Sequence, residues 1–208
     1  MVKSIASNYT YGKNGKRIED KKVEDIAKKY HYQYYDIGTE ITIGTEKFNV
    51  IKDEGDSVTL MAQYNLGTDY RQSTTNNYVT FADTKTWERY ETIDLQTMTT
   101  NPKNYVNNYV SYLRTITNDN TITGSLATQD RYLTLWCDLQ GNYEEKRCES
   151  SPYKSWVING QETWTLINYE SIKYVDSEGL FIESTSITTD AKGIRPIITI
   201  SKDTLAGL

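Results

Sequence analysis

The sequence predicts an α+β fold, with antiparallel strands and two helices, and three observations carry that prediction. The chain is rich in strand formers: Thr, Ile and Val are frequent, and 18 Tyr and 4 Trp stand against 3 Phe in 208 residues. Short runs of alternating apolar and polar residues, punctuated by turn signals, lie on both sides of one strongly helical stretch. The helical segments fall between groups of strands, without the regular alternation that builds a parallel sheet.

The elements follow in chain order. Residues 1–17 are polar, with Gly12 and Gly15, and read as an arm; 20–31 reads as a short helix with Val23, Ile26 and Ala27 on one face. Together, residues 1–37 are expected to form an N-terminal arm and short helix, and 38–208 a single α+β domain. Ile41 and Ile43 alternate with Thr. Segments 47–52 and 57–64 flank Asp53-Glu54-Gly55-Asp56, a tetrapeptide suited to closing a β-hairpin. Residues 67–100 form a long polar stretch with Tyr78, Phe81 and Trp87 as expected anchors; stretches of that length are usually functional or partly structured. A helix is expected over about 102–117, with Asn101 as N-cap, Pro102 at the first helical position and Val106, Tyr109, Val110, Leu113 and Ile116 as its apolar stripe. A second helix is expected over about 128–136. Strands are expected over 155–159, 163–168, 172–175, 180–183 and 193–201, with Asp176-Ser177-Glu178-Gly179 as a further hairpin turn.

Charge and composition narrow the function. The net charge of −5 and the absence of a basic stripe argue against nucleic acid as a partner. The charge is uneven: residues 1–38 carry 8 Lys/Arg against 5 Asp/Glu, and the remainder is acidic. No segment approaches the ~18 apolar residues of a membrane span. Met1-Val2-Lys3-Ser4 runs directly into polar sequence with no secretory leader. Either the protein is cytosolic or a leader or anchor preceded this sequence; the second is expected, so that any membrane association would run through a missing N-terminal anchor.

The reason for that preference is the cysteine pair. Cys137 and Cys148 enclose a short polar loop containing Gly141, which favours a disulfide and an oxidising compartment, extracellular or at the cell surface. The alternative is two unpaired thiols in a cytosolic chain. One His leaves too few ligands for a Cys/His zinc site, and no metal or cofactor is expected. His31 is the only imidazole, so any triad would have to use it. Motifs for nucleophilic serine, zinc-protease, P-loop or dinucleotide chemistry are absent. The carboxylates Glu144-Glu145 and Asp53/Asp56 read as solvated turns, although a glycosidase needs only two carboxylates across a cleft.

Large amphipathic rings mark the expected ligand site. Trp156 and Trp164 flank Asn159-Gly160, a two-residue hairpin signal, and are expected to share one sheet face as a cross-strand pair. Tyr153, Trp156, Trp164 and Tyr169 are the candidate ligand-binding residues, assisted by the polar loop at 67–86. The competing reading places either Trp in the core.

Near the C-terminal end of the sequence runs Gly193-Ile194-Arg195-Pro196-Ile197-Ile198-Thr199-Ile200-Ser201. This string resembles the G-[VI]-R-P-x-[IL]-x-[IL] ending of a group of uncharacterised bacterial surface domains, some of which follow a pilin-like N-terminal anchor. It is also similar to the last strand of C-type-lectin-like domains related to formylglycine-generating enzymes and to retroelement-diversified variable proteins. Residues 58–66 (Val-Thr-Leu-Met-Ala-Gln-Tyr-Asn-Leu) resemble an early strand of such domains, and the Trp156 to Trp164 stretch with its Gly179 turn resembles their late sheet. The resemblance spans about residues 38–203 and implies a C-type-lectin-like fold and a binding role. The chain lacks the Tyr-Trp-Leu-Arg-Ser type string of those relatives and a cysteine pair near its C-terminus, which speaks against oxidase chemistry.

Physical chemistry assigns the ending a structural role. Arg195 among isoleucines needs a carboxylate or carbonyl partner, and Pro196, which cannot donate to a ladder, predicts an edge strand or a bulge. Gly193 belongs to the same structural motif. The expected function is a non-catalytic surface or secreted binding or adhesion module for a protein or glycan ligand. A pilin-like filament subunit and a glycan-acting enzyme are the alternatives.

Overall fold

The computed structural model describes residues 34–82, 100–128, 153–165, 172–184, 186 and 189–208. The expected helix over 20–31, Trp87, the helix over 128–136 beyond its first residue, the Cys137–Cys148 pair and Tyr169 lie outside the described residues.

The described residues form an α+β structure built on antiparallel pairing, as the sequence predicts. Its centre is a five-stranded sheet in the order β1-β2-β3-β10-β5. The strands are β1 (Glu40–Ile43), β2 (Glu46–Asp53), β3 (Ser57–Ala62), β5 (Thr123–Leu126) and β10 (Pro196–Ser201). Every neighbouring pair is antiparallel. Helix α1 (Asn101–Thr117) packs on one face. Strand alternation supplies that face with Phe48, Val50, Val58, Leu60, Ala62, Ile198 and Ile200, and α1 covers them with Val106, Tyr109, Val110 and Leu113. β5 approaches the helix so closely that a Cβ at Gly124 would lie 2.5 Å from Val110 Cγ2.

The other sheet face carries a smaller apolar cluster. Ile51, Met61 and Ile197 meet Val157 of the short helix α2 (Lys154–Val157) and Val175 of a three-stranded sheet. That sheet is β6 (Thr163–Trp164), β7 (Lys173–Val175) and β8 (Phe181–Glu183). Ile51 reaches this face through a bulge: the register shifts between Val50 and Lys52, so Val50 faces Leu60 and Lys52 faces Thr59. β4 (Val79–Thr80) pairs with β9 (Ala191–Lys192), and α3 (Lys202–Ala206) follows β10. Among the described residues no helix is long and apolar enough to cross a membrane.

Four details differ from the sequence reading. The N-cap of α1 is Thr100, whose hydroxyl accepts from the Lys103 N–H. Asn101 is already helical and donates its amide to the Thr80 carbonyl at 2.8 Å. β10 is an interior strand, neither an edge nor bulged. Pro196 is tolerated because it is the strand's first residue, facing Leu126 of β5, and the pairing with β3 begins one residue later at Ile197. Residues 155–159 were expected as a strand, but Lys154–Val157 forms a helical turn in which the Trp156 and Val157 N–H groups donate to the Tyr153 carbonyl. Trp156 and Trp164 are therefore not a cross-strand pair.

Candidate functional site

The sheet and α1 together hold out a tyrosine-bearing loop. The chain leaves β3 at Ala62 and turns sharply at residues 66–72, where Leu66 and Gln72 form a bridge and the Gly67 N–H donates to the Arg71 carbonyl at 2.7 Å. Asp69 Oδ1 accepts the Arg71 N–H, closing an Asx turn at the tip. This geometry places Tyr70 at φ +62°. Glycine and asparagine reach that left-handed region readily, whereas a bulky side chain there is strained.

Buried polar groups fix the loop's return arm. Glu46, 2% exposed, accepts the Gln72 N–H at 2.9 Å and the Thr45 hydroxyl at 3.2 Å. Gln72 in turn donates to the Tyr109 hydroxyl at 2.9 Å and accepts the Tyr64 N–H. Burial, followed by the neighbouring Glu46 charge, holds the Tyr109 phenol well above its ordinary pKa, so it stays a neutral hydroxyl.

Helix α1 supplies the wall. Tyr105, Tyr109 and Tyr112 follow at i, i+4 and i+7 and form one stripe; Tyr109 is sealed in the core while Tyr105 and Tyr112 emerge half-buried. Tyr70 meets Tyr105 edge-to-face with centroids 4.9 Å apart, and the Arg71 guanidinium lies 6.0 Å from the Tyr112 ring centre. Arg71 also grips Asp69 through Nε and Nη2 at 2.9 and 2.7 Å. Those hydrogen bonds, aided by the Arg71 charge, keep the Asp69 carboxyl below its ordinary range against the opposing effect of burial. Asn77 donates to the Tyr105 hydroxyl at 3.4 Å, and Gln161 donates to Asn76 at 2.5 Å. Tyr70 and Tyr78 are each 38% exposed.

The terminal Gly-Ile-Arg-Pro string holds the root of this loop. Asn65 is fully buried; its amide donates to the Glu162 carbonyl and accepts from the Thr163 hydroxyl. It lies against Gly193, where no side chain fits. The Ile194 carbonyl accepts the Leu66 N–H at 2.8 Å. Arg195, 1% exposed, donates to the Ala62 and Trp156 carbonyls at 2.7 Å each and to the Val157 carbonyl. One guanidinium thus ties the end of β3 to α2 through carbonyl partners.

The three described members of the expected ligand set, Tyr153, Trp156 and Trp164, do not converge. Tyr153, just before α2, and Trp156 within it lie together, half-buried with centroids 5.9 Å apart, on the sheet face away from α1. Trp164 has no exposed surface, which corrects its expected ligand-facing position. Its indole N–H donates to the Val79 carbonyl at 2.8 Å and its ring sits between Phe81 and Tyr174. Burial wins because the Trp164 ring faces the same side as the main core, where β4 offers an acceptor for its one polar atom.

The sequence reading gave the polar loop an accessory part and overlooked Tyr70, Tyr105 and Tyr112. The i, i+4, i+7 spacing of the helical tyrosines was the available signal. Among the described residues no three His, Cys, Asp or Glu side chains gather as metal ligands. What the face offers is rings, amides and one ion pair. No family model, curated protein or solved structure matches this chain.

Proposed function

We propose that the chain is a non-catalytic binding or adhesion module of the bacterial cell surface whose ligand meets the tyrosine face of the 64–80 loop and α1. The observation that carries the reading is Tyr70. It occupies a left-handed turn position that Gly or Asn would fill without strain, and it presents a partly exposed ring there. Backbone strain held at a partly exposed aromatic residue supports a recognition role. The surrounding Tyr, Asn, Thr and Ser side chains match the composition of adaptable recognition loops.

The finer assignments belong to the same proposal. A C-type-lectin-like arrangement is supported by the Gly-Ile-Arg-Pro ending leading into an interior strand beside the early strand β3. An extracellular location is supported by the Cys137 and Cys148 spacing. Alkylation of the unreduced protein tests it, and two reactive thiols in material from an oxidising compartment would remove that location.

The binding reading is tested without knowledge of the ligand. Tyr70→Asn relieves a strain of about 1–2 kcal/mol and forfeits an aromatic contact of about 0.5–1.5 kcal/mol. The variant is expected to match or exceed wild type in chemical denaturation. A loss beyond about 2 kcal/mol would make Tyr70 a packing residue and end the reading.

A further inference from the structure

We propose that Asn159 is a site of spontaneous covalent modification: its side-chain amide is lost through a succinimide formed with Gly160, and the product releases the root of the 64–80 loop from the turn that holds it. This inference stands on the 159–161 turn alone and is independent of any ligand.

The dipeptide supplies the nucleophile and the turn supplies the electrophile. Succinimide closure needs the backbone nitrogen of the following residue to reach the side-chain carbon of Asn, and a side chain on that residue obstructs the approach. Gly160 has none; it is exposed at φ +73° with open space where a Cβ would stand. Among the described residues its N–H donates to no acceptor, so it can give its proton to hydroxide. Asn159 Oδ1 accepts the Gln161 N–H at 3.1 Å in an Asx turn. That bond folds the side chain back along its own backbone, toward the Gly160 nitrogen. It also places a donor on the oxygen that becomes negative as the nitrogen attacks. The steps balance. The deprotonated Gly160 nitrogen bonds to Asn159 Cγ, the Cγ–Nδ2 bond breaks, and Nδ2 takes a proton from water and leaves as ammonia. Water then opens the ring at either carbonyl, giving aspartate or an isoaspartate whose main chain runs through the former side chain.

The group that leaves is one that holds the loop. Asn159 Nδ2 donates to the Gln63 carbonyl at 3.2 Å, across 96 residues of sequence. Gln63 leads directly into Tyr64 and Asn65, where the loop begins. A carboxylate at 159 has no hydrogen to give and sets two acceptors against each other. Gln161, on the far side of the turn, accepts the Asn65 N–H at 3.3 Å and donates to Asn76 Oδ1 at 2.5 Å. A main chain lengthened at 159 displaces both of those bonds as well. Three hydrogen bonds between the turn and the loop thus depend on one amide that the turn itself exposes to loss.

The test ages the full chain in mildly alkaline buffer until Asn14, which begins the other Asn–Gly pair of the sequence, has converted, and maps the peptides by mass spectrometry. Asn159 is expected to show the mass change of amide to acid, with an isoaspartyl product, and to convert faster as pH rises. Gly160→Ala is expected to slow the conversion about tenfold, a barrier increase of about 1.4 kcal/mol. An Asn159 that is intact when Asn14 has converted overturns the proposal, as does a rate that Gly160→Ala leaves unchanged. The converted protein carries added negative charge and is separated from the rest by anion exchange. Its Asn65 amide is expected to exchange hydrogen faster than in fresh protein, while the Leu60 amide of β3 keeps its protection. Asn159→Asp, made directly, is expected to have the same effect. Asn65 exchange that is equal in the fresh, converted and Asn159→Asp proteins overturns the release of the loop.

Discussion

The side-chain amide of Asn65 fills the space that any side chain at residue 193 would need. A Cβ built on Gly193 would lie 1.9 Å from Asn65 Nδ2 and 2.9 Å from the Glu162 carbonyl oxygen. Neither neighbour is a free flexible end, because the Asn65 amide is hydrogen-bonded and the second is backbone. Gly193→Ala is therefore expected to destabilise by about 3 kcal/mol, at the upper end of overpacking effects. Asn65→Ala in the same chain should recover part of that loss. Urea midpoints of the two single variants and the double variant measure the coupling, and additive losses would show that the two residues do not compete for this space.

A second buried relationship joins the first hairpin to the C-terminal helix. Lys202 Nζ lies 2.8 and 2.7 Å from the two Asp53 carboxylate oxygens, and the Tyr35 and Gly55 N–H groups complete the carboxylate's shell. Burial by itself would raise the Asp53 pKa; the hydrogen bonds and the Lys202 charge outweigh it and lower it below 3.8. A depressed folded-state pKa gives stability that is present above the unfolded carboxyl value and lost as pH falls through the folded one. Wild type should thus lose this contribution below about pH 4. Lys202→Met strands the carboxylate and is expected to cost about 3–5 kcal/mol at pH 7, whereas Asp53→Asn with Lys202→Met should cost less. Guanidinium denaturation at pH 7 and at pH 3 checks both statements, and an equal loss for the single and double variants would refute the buried-pair account.

Among the described residues Glu46 has no cationic hydrogen-bond partner; it holds the Gln72 N–H and the Thr45 hydroxyl. Glu46→Ala is expected to lower stability by about 1–3 kcal/mol and to loosen the return arm of the tyrosine loop. Hydrogen exchange at the Gln72 amide should accelerate selectively relative to amides of β3. Uniform acceleration across both would mean that Glu46 supports the whole sheet and not the loop.

Trp164 and Trp156 are expected to differ sharply. Truncating Trp164 to Ala should remove about 3–5 kcal/mol, as for a large ring excised from a core. Replacing Trp156 by Phe should remove a component of the fluorescence that acrylamide quenches, and replacing Trp164 by Phe an unquenched one. Equal quenching of both would contradict the burial of Trp164.

Parts of the architecture were legible because their signals are local. Helix α1 announced itself through Pro102 and the 3.6-residue stripe, of which Val106, Tyr109, Val110 and Leu113 are buried while the expected last member, Ile116, stands exposed; β10 announced itself through Ile198 and Ile200 alternating with Ile197 and Thr199. α2 was not legible: the Trp156-Val157-Ile158 run that overlaps it suits a strand, and the helical turn is held by Arg195, which takes the Trp156 and Val157 carbonyls from 39 and 38 residues away. The direction of Trp164 depended on which sheet covered it, which alternation alone does not say. Tyr70 was hidden for a similar reason, since a left-handed tyrosine shows itself only once the turn around it is built.

The interior position of β10 has a consequence for how the chain is made. Thr59 and Thr199 touch through their hydroxyls across 140 residues of sequence. Until β10 leaves the ribosome, β3 lacks its inner neighbour and β5 has no partner in this sheet, so β2 and β3 present an open ladder to any other strand nearby. The sheet cannot close until β10 is made, and its assembly carries the slow search that distant pairings impose. A ribosome stalled before Gly193 would therefore hold a nascent chain with an exposed sheet edge and an unanchored tyrosine loop, a species suited to capture by a chaperone and prone to self-association.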